Sequence, residues 1–69
     1  MRVRLVSMLE TSRAYRFLGQ TGNLNIADGT FLFVADNGMF LSGKILEKEF
    51  SETHLIFRNE NNVFTFELM

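Results

Sequence analysis

The chain has 69 residues, a formal net charge of −1 and no cysteine, proline or tryptophan. This length allows one domain, residues 1–69, with a core that is small relative to the surface it leaves exposed. The absence of cysteine excludes disulfides and cysteine-type zinc sites, and a single histidine excludes a histidine-rich metal site, so we expect no cofactor.

The composition favours strands, because eight of the residues are phenylalanine and aromatic and β-branched side chains suit a pleated sheet. Turn-forming residues recur between apolar segments, as in a meander of short strands. The predicted strands are 2–9, 13–18, 30–35, 39–48, 53–58 and 63–68, with a short extended piece at 24–26. The predicted fold is all-β: a small antiparallel, partly open barrel or curved sheet of about five or six strands.

The N-terminal segment also fits a helix. Ser7-Met8-Leu9-Glu10 has the form of a capping box, in which two side chains satisfy backbone donors at a helix start. Gly19 suits the position just after a helix end. The alternative fold is therefore α+β, with one helix at about 7–18 packed on a sheet.

The strongest local signal is Asn37-Gly38 between two apolar segments, which predicts a hairpin with a type I′ turn. In that register Val34 faces Leu41. One face of the hairpin is aliphatic and carries Leu32, Val34, Met39, Leu41 and Ile45. The other face carries Phe31, Phe33, Ala35, Phe40 and Leu46, together with Ser42 and Lys44.

A sheet that encloses one core can hide only one of these faces. We assign the aliphatic face inward, because its side chains pack more uniformly. Phe31, Phe33 and Phe40 then point outward beside Lys44, where they form an apolar patch of the kind that marks an interaction site. We expect this patch to be a protein interface and to support a homodimer or larger homo-oligomer.

Positive charge is concentrated in residues 1–20, which hold four arginines and one glutamate, whereas residues 21–69 hold three cationic and seven acidic side chains. Arginines interleaved with aromatic rings are typical of proteins that hold phosphates and stack on bases. The candidate nucleic-acid contacts are Arg2, Arg4, Arg13, Arg16, Tyr15 and Phe17. The other interpretation is an arginine-rich face that pairs with the acidic part of the chain or of a neighbouring subunit.

One segment resembles a known family. The run Asn37-Gly38-Met39-Phe40-Leu41-Ser42-Gly43-Lys44-Ile45, followed by Glu49 and Phe50, is similar to a motif of the Sm-like RNA chaperones of bacteria. The resemblance covers about residues 37–67 and implies a small SH3-like barrel, with a long strand that bends at Gly43. The family's basic pocket for RNA is not matched, because Phe64-Thr65-Phe66 stands near its place.

No set of nucleophile and base stands out, and His54 lies inside a predicted strand, so we expect a structural histidine and no enzyme activity. The expected function is a small protein-interaction, assembly or regulatory module of a bacterium or phage, which binds itself and another protein. The alternative function is nucleic-acid binding through the N-terminal arginines. No apolar segment approaches the roughly 20 residues of a membrane span, and no signal peptide is evident, so we expect a cytoplasmic location without membrane contact.

Overall fold

A computed structural model describes residues 1–9 and 12–69 of the chain. These residues form seven strands and one 3₁₀ helix, Arg13–Phe17. The strands are β1 (Arg2–Ser7), β2 (Thr21–Ala27), β3 (Thr30–Ala35), β4 (Gly38–Leu41), β5 (Glu47–Phe50), β6 (His54–Arg58) and β7 (Val63–Leu68). They pair antiparallel in one open sheet, in the order β4-β3-β2-β1-β7-β6-β5.

The all-β prediction is confirmed, although the sheet has seven strands and not five or six. Two strands are gained, because the predicted strand 39–48 is broken into β4 and β5 and the short piece at 24–26 extends to a full strand, β2; one is lost, because the predicted strand 13–18 is not a strand. The α+β alternative is wrong, since Ser7 ends a strand and the part of 7–18 that the structure describes contains no α-helix. No described helix has the length and apolar character needed to cross a membrane.

The predicted strand 13–18 is the 3₁₀ helix. Ser12 begins it, because its Oγ accepts a hydrogen bond of 3.2 Å from the amide of Ala14. After the helix ends, the amide of Gly19 donates to the carbonyl of Leu5 over 2.7 Å, which returns the chain to the sheet. Phe17 is buried and fixes the helix on the core. The predicted capping box includes Glu10, which lies outside the described residues.

The β2–β3 and β3–β4 hairpins both have two-residue loops, but the type I′ turn lies in the β2–β3 hairpin. Asp28 and Gly29 connect β2 to β3 with φ of 52° and 75°, as that turn requires. In the β3–β4 hairpin Ala35 pairs with Gly38, so the loop is Asp36-Asn37 and the register differs from the predicted one. Gly38 lies against the 3₁₀ helix, where a Cβ would stand 3.3 Å from Cζ of Phe17.

The membership of the two hairpin faces is as predicted for β3 and β4, but the assignment of inside and outside is wrong. Phe31 and Phe33 are 1% and 0% exposed, whereas Met39 and Leu41 are 62% and 67% exposed. Since β6 and β7 also turn phenylalanines inward, the aromatic face meets further rings. The ring centroid of Phe31 lies 5.0 Å from that of Phe57 and 5.3 Å from that of Phe66. Aromatic pairs of this kind add to the area that each ring buries.

The two edge strands of the sheet, β4 and β5, follow one another in the chain. Residues 42–46 connect them and touch both halves of the sheet. The amide of Ile45 donates to the carbonyl of Gly29, in the turn just before β3, over 2.7 Å. The next amide, of Leu46, donates to the carbonyl of Arg58, at the end of β6, over 2.8 Å. The sheet therefore curls around its phenylalanine core until its two edges are joined by five residues.

Candidate functional site

An exposed aliphatic patch covers the outer face of the β3–β4 hairpin. It consists of two cross-strand pairs, Leu32 with Leu41 and Val34 with Met39. The two residues of β3 are half-buried, and the two of β4 are more than half exposed. The adjacent outward positions of β2 are Asn25 and Asn23, which pair with Leu32 and Val34. The aliphatic patch is therefore apolar, free of charge within its own strands and bordered by neutral polar groups.

The backbone of β4 presents hydrogen-bonding groups at the edge of the sheet. The amide of Ser42 donates to the carbonyl of Phe31 over 2.9 Å, so residues 31 and 42 form a hydrogen-bonded pair of the ladder. Such pairs alternate along an antiparallel ladder with pairs whose N–H and C=O groups point away from the partner strand. Met39 and Leu41 occupy the second kind of position. Their backbone groups point away from β3.

An open groove of about 410 Å³ runs beside this edge, and we call it the edge groove. One wall is β4 with the start of the connection to β5. The opposite wall comes from the 3₁₀ helix and the turn between β6 and β7. The residues that line it are Ser12, Arg13, Ala14, Arg16, Phe17, Met39, Phe40, Leu41, Ser42, Gly43, Asn59, Asn61, Asn62 and Phe64.

Two of the predicted arginines line the edge groove. Arg13 and Arg16 are both exposed and stand three residues apart on the 3₁₀ helix. Residues at this spacing eclipse one another in a 3₁₀ helix, which has three residues per turn. The guanidinium of Arg16 lies 4.5 Å from the ring centroid of Phe17. This cation–π contact favours one orientation of the Arg16 side chain.

Of the other candidate nucleic-acid contacts, only Phe17 reaches the groove, and its ring does so from the core. Arg2 and Arg4 lie on the outer face of β1, and the guanidinium of Arg4 is 3.9 Å from the carboxylate of Glu67. Tyr15 is exposed but does not line the groove. Phe17 is 2% exposed, so its ring is part of the core and cannot stack on a base. The predicted set is therefore divided between two surfaces and the core.

The turn between β6 and β7 supplies the asparagines of the groove. Asn62 is buried, and its Oδ1 accepts hydrogen bonds from the amides of Leu9 (3.0 Å) and Val63 (2.8 Å). Oδ1 of Asn59 accepts from the amide of Asn61 over 2.9 Å. These bonds fix the turn, so this wall of the groove is held in place by side-chain contacts.

His54 takes part in local surface contacts. Its Nδ1 shares a hydrogen bond of 2.7 Å with Oγ1 of Thr53, and its Nε2 lies 4.0 Å from a carboxylate oxygen of Glu67. Lys44 is exposed in the connection between β4 and β5, and its place in an interface stays a prediction. Within residues 1–9 and 12–69, no three histidine or acidic side chains come together in a way that could hold a metal ion.

The comparisons with known proteins give no relative: no family model, curated protein or solved structure matches the chain.

Sequence reasoning missed the edge groove and its asparagines. The run Asn59-Glu60-Asn61-Asn62 is typical of a turn, but nothing in it indicates that the turn faces the 3₁₀ helix across an open edge. The sequence pattern identifies the residues of the aliphatic patch, but it does not show that they lie on the outer face of the sheet.

Proposed function

We propose that the protein is a non-enzymatic interaction module that self-associates through the aliphatic patch and serves in assembly or regulation. The observation that carries this proposal is the exposure of Met39 and Leu41, side by side with Leu32 and Val34, on an edge hairpin. Proteins commonly protect edge strands with charged residues. β5 carries Glu47, Lys48 and Glu49, whereas β4 carries no charge.

The occupant of the aliphatic patch is a second copy of the chain. A twofold axis sets a surface against itself, so a charged side chain close to the axis meets its own copy there. The remaining outer face of the sheet carries charged side chains on β1, β5, β6 and β7, including Arg4, Glu47, Arg58 and Glu67. The aliphatic patch is the part of the described outer face that meets its own copy without charge repulsion.

The resemblance to Sm-like proteins and the SH3-like barrel that it implies remain part of this proposal. Gly43 falls in the connection between β4 and β5, where the predicted bend of the long strand would lie. The connection contacts both β3 and β6, as a bent strand shared by two halves of a barrel does. A cytoplasmic location is also proposed, and the absence of cysteine supports it.

Light scattering on the purified protein tests the self-association. We expect twice the chain mass of 8.0 kDa at about 100 μM, a concentration suited to an interface of micromolar affinity. Leu41→Lys should give a folded monomer, because it sets a charge on each side of the twofold axis. Leu46→Lys is the matched control, since Leu46 is 61% exposed and lies outside the aliphatic patch. A monomeric wild type, or an equal effect of the two substitutions, contradicts the proposal.

The alternative function, nucleic-acid binding, is tested by titrating a single-stranded oligonucleotide at several salt concentrations. Arg13 and Arg16 are the predicted contacts that remain together on one surface. Binding that weakens steeply with salt is the mark of phosphate contacts, because bound counterions are released. Tight binding of this kind by the wild type, lost in Arg13→Gln/Arg16→Gln, would favour the alternative.

A further inference from the structure

We propose that the edge groove binds an extended peptide segment with carboxylate side chains, which adds to the sheet as a strand beside β4. The groove combines two features that such a ligand needs: a strand edge with outward backbone groups and a pair of arginines along its other wall. The site shares Met39 and Leu41 with the aliphatic patch but uses their backbone groups, so the inference does not rest on the proposed dimer.

The backbone of Met39 and Leu41 carries the first half of the inference. Among residues 1–9 and 12–69, no backbone hydrogen bond outside the strand ladders involves either residue. Both residues line the groove, and their N–H and C=O groups point away from β3 because of the ladder's alternation. An extended peptide matches this spacing of donors and acceptors, and strand addition to an exposed edge is a general mode of peptide recognition.

The arginines give the preference for acidic side chains. Arg13 and Arg16 face the groove from one side of the 3₁₀ helix, across from β4. Alternate side chains of an added strand point to opposite faces of the sheet, so every second residue of the peptide turns toward the helix. Carboxylates at those positions accept charge-assisted hydrogen bonds from the guanidinium groups, which match a carboxylate in a planar fork.

A peptide fits this groove better than a nucleic acid does. A sugar-phosphate backbone offers phosphate acceptors to the arginines, but it has no donors at the spacing of the Met39 and Leu41 carbonyls. Residues 21–69 also carry seven acidic against three cationic side chains, which opposes the approach of a long polyanion. The backbone groups of the edge are thus the feature that separates the two kinds of ligand.

Strand addition and dimer formation use different groups of the same residues. The side chains of Met39 and Leu41 stand on the outer face of the sheet, whereas their backbone groups lie in its plane. Val34 belongs to the aliphatic patch but does not line the groove, so Val34→Lys should break the dimer and leave the edge backbone in place. This variant should still bind the peptide, so failure of one proposal is distinguishable from failure of the other.

The test uses fluorescence anisotropy with a labelled, capped six-residue peptide of alternating valine and glutamate. We expect it to bind the wild type, and a peptide of alternating valine and lysine to bind at least about tenfold more weakly, since hydrogen bonds to charged groups contribute this much. Two further peptides carry N-methyl groups on either the odd-numbered or the even-numbered amides. One of the two should not bind, because its methyl groups replace the amide hydrogens that donate to β4.

Arg13→Gln/Arg16→Gln should weaken binding of the valine–glutamate peptide by about tenfold or more, with an unchanged circular dichroism spectrum. Arg2→Gln/Arg4→Gln is the matched control, because it also removes two charges and both arginines are exposed on β1 outside the groove. Three results would each overturn the inference. The first is no binding of the valine–glutamate peptide, and the second is equal binding of both N-methylated peptides and the unmethylated peptide. The third is tighter binding of a single-stranded oligonucleotide that competes for the same arginines.

Discussion

The amide of Phe31 donates a hydrogen bond of 2.8 Å to the hydroxyl oxygen of Ser42, at the place where a regular ladder would use the carbonyl of residue 42. The same hydroxyl donates to the carbonyl of Gly43 over 2.8 Å. The side chain thus completes the last rung of the β3–β4 ladder while the backbone turns away. This bond lies at the point where the predicted strand 39–48 is interrupted.

We expect Ser42→Ala to lower the free energy of unfolding by about 1–3 kcal/mol, because it leaves the amide of buried Phe31 without its acceptor. Denaturant unfolding followed by circular dichroism measures this change. Ser51→Ala is the control, because its hydroxyl accepts bonds from exposed amides that water can replace. If the two variants lose the same free energy of unfolding, the Phe31–Ser42 bond contributes no more to stability than an exposed hydrogen bond does.

The substitution Gly22→Ala should also destabilise the fold. Gly22 pairs with Ala35, and a Cβ there would collide with the carbonyl group of Val34 and stand 3.0 Å from Cα of Ala35. These are backbone atoms, so relief requires β2 and β3 to separate, at a cost of about 1–3 kcal/mol.

Thermal melting compares this variant with Gly43→Ala, whose Cβ would meet only a side-chain nitrogen of Asn59 at an ordinary 3.8 Å. We expect Gly22→Ala to melt at least about 4 °C below Gly43→Ala, as a loss of 1 kcal/mol implies for a domain of this size. Coincident melting curves would mean that the strands separate at this position without cost.

The inverted hairpin faces predict opposite outcomes for two acidic substitutions. Phe33→Asp buries an unpaired carboxylate in the phenylalanine core, which costs several kcal/mol and is comparable with the stability of a small domain. We expect this variant to be unfolded by circular dichroism at 25 °C. Met39→Asp, on the exposed face, should remain folded. If the Phe33→Asp variant is folded, the phenylalanine face does not form the core, and the assignment of the two faces is wrong.

Which face of the β3–β4 hairpin points to the core could not be predicted from the sequence of the hairpin alone. Both of its faces are apolar, so which of them points inward depends on what each face meets across the sheet. Phe31 meets Phe57, Phe64 and Phe66, which reach it from β6 and β7. These strands are distant in sequence, so local alternation identifies each face but does not say which of them faces the core.

Strand positions were more predictable than turn geometry. The predicted bounds of the strands at 30–35, 53–58 and 63–68 agree with β3, β6 and β7 to within one residue. The turn lies one residue before the predicted Asn37-Gly38, and Gly38 packs against the ring of Phe17, a contact with a segment far from it in sequence. The 3₁₀ helix was missed because its apolar residues fit a strand equally well.

The candidate site was predictable in composition and not in arrangement. The N-terminal arginines stood out as a cluster of charge, and the structure divides them between the outer face of β1 and the edge groove. This division follows from secondary structure: Arg2 and Arg4 alternate along a strand, whereas Arg13 and Arg16 share one side of a 3₁₀ helix.

The central position of β1 has a consequence for how the chain folds. β1 pairs with β2 on one side and with β7 on the other, and Val3 stands opposite Leu68. The middle of the sheet therefore forms only when the two ends of the described chain meet, which requires closure of the longest loop that this sequence allows. The hairpins can form early from local contacts, but the pairing of β1 with β7 raises the contact order and slows the cooperative step. Amide protons of β1 should accordingly exchange with solvent only through global unfolding.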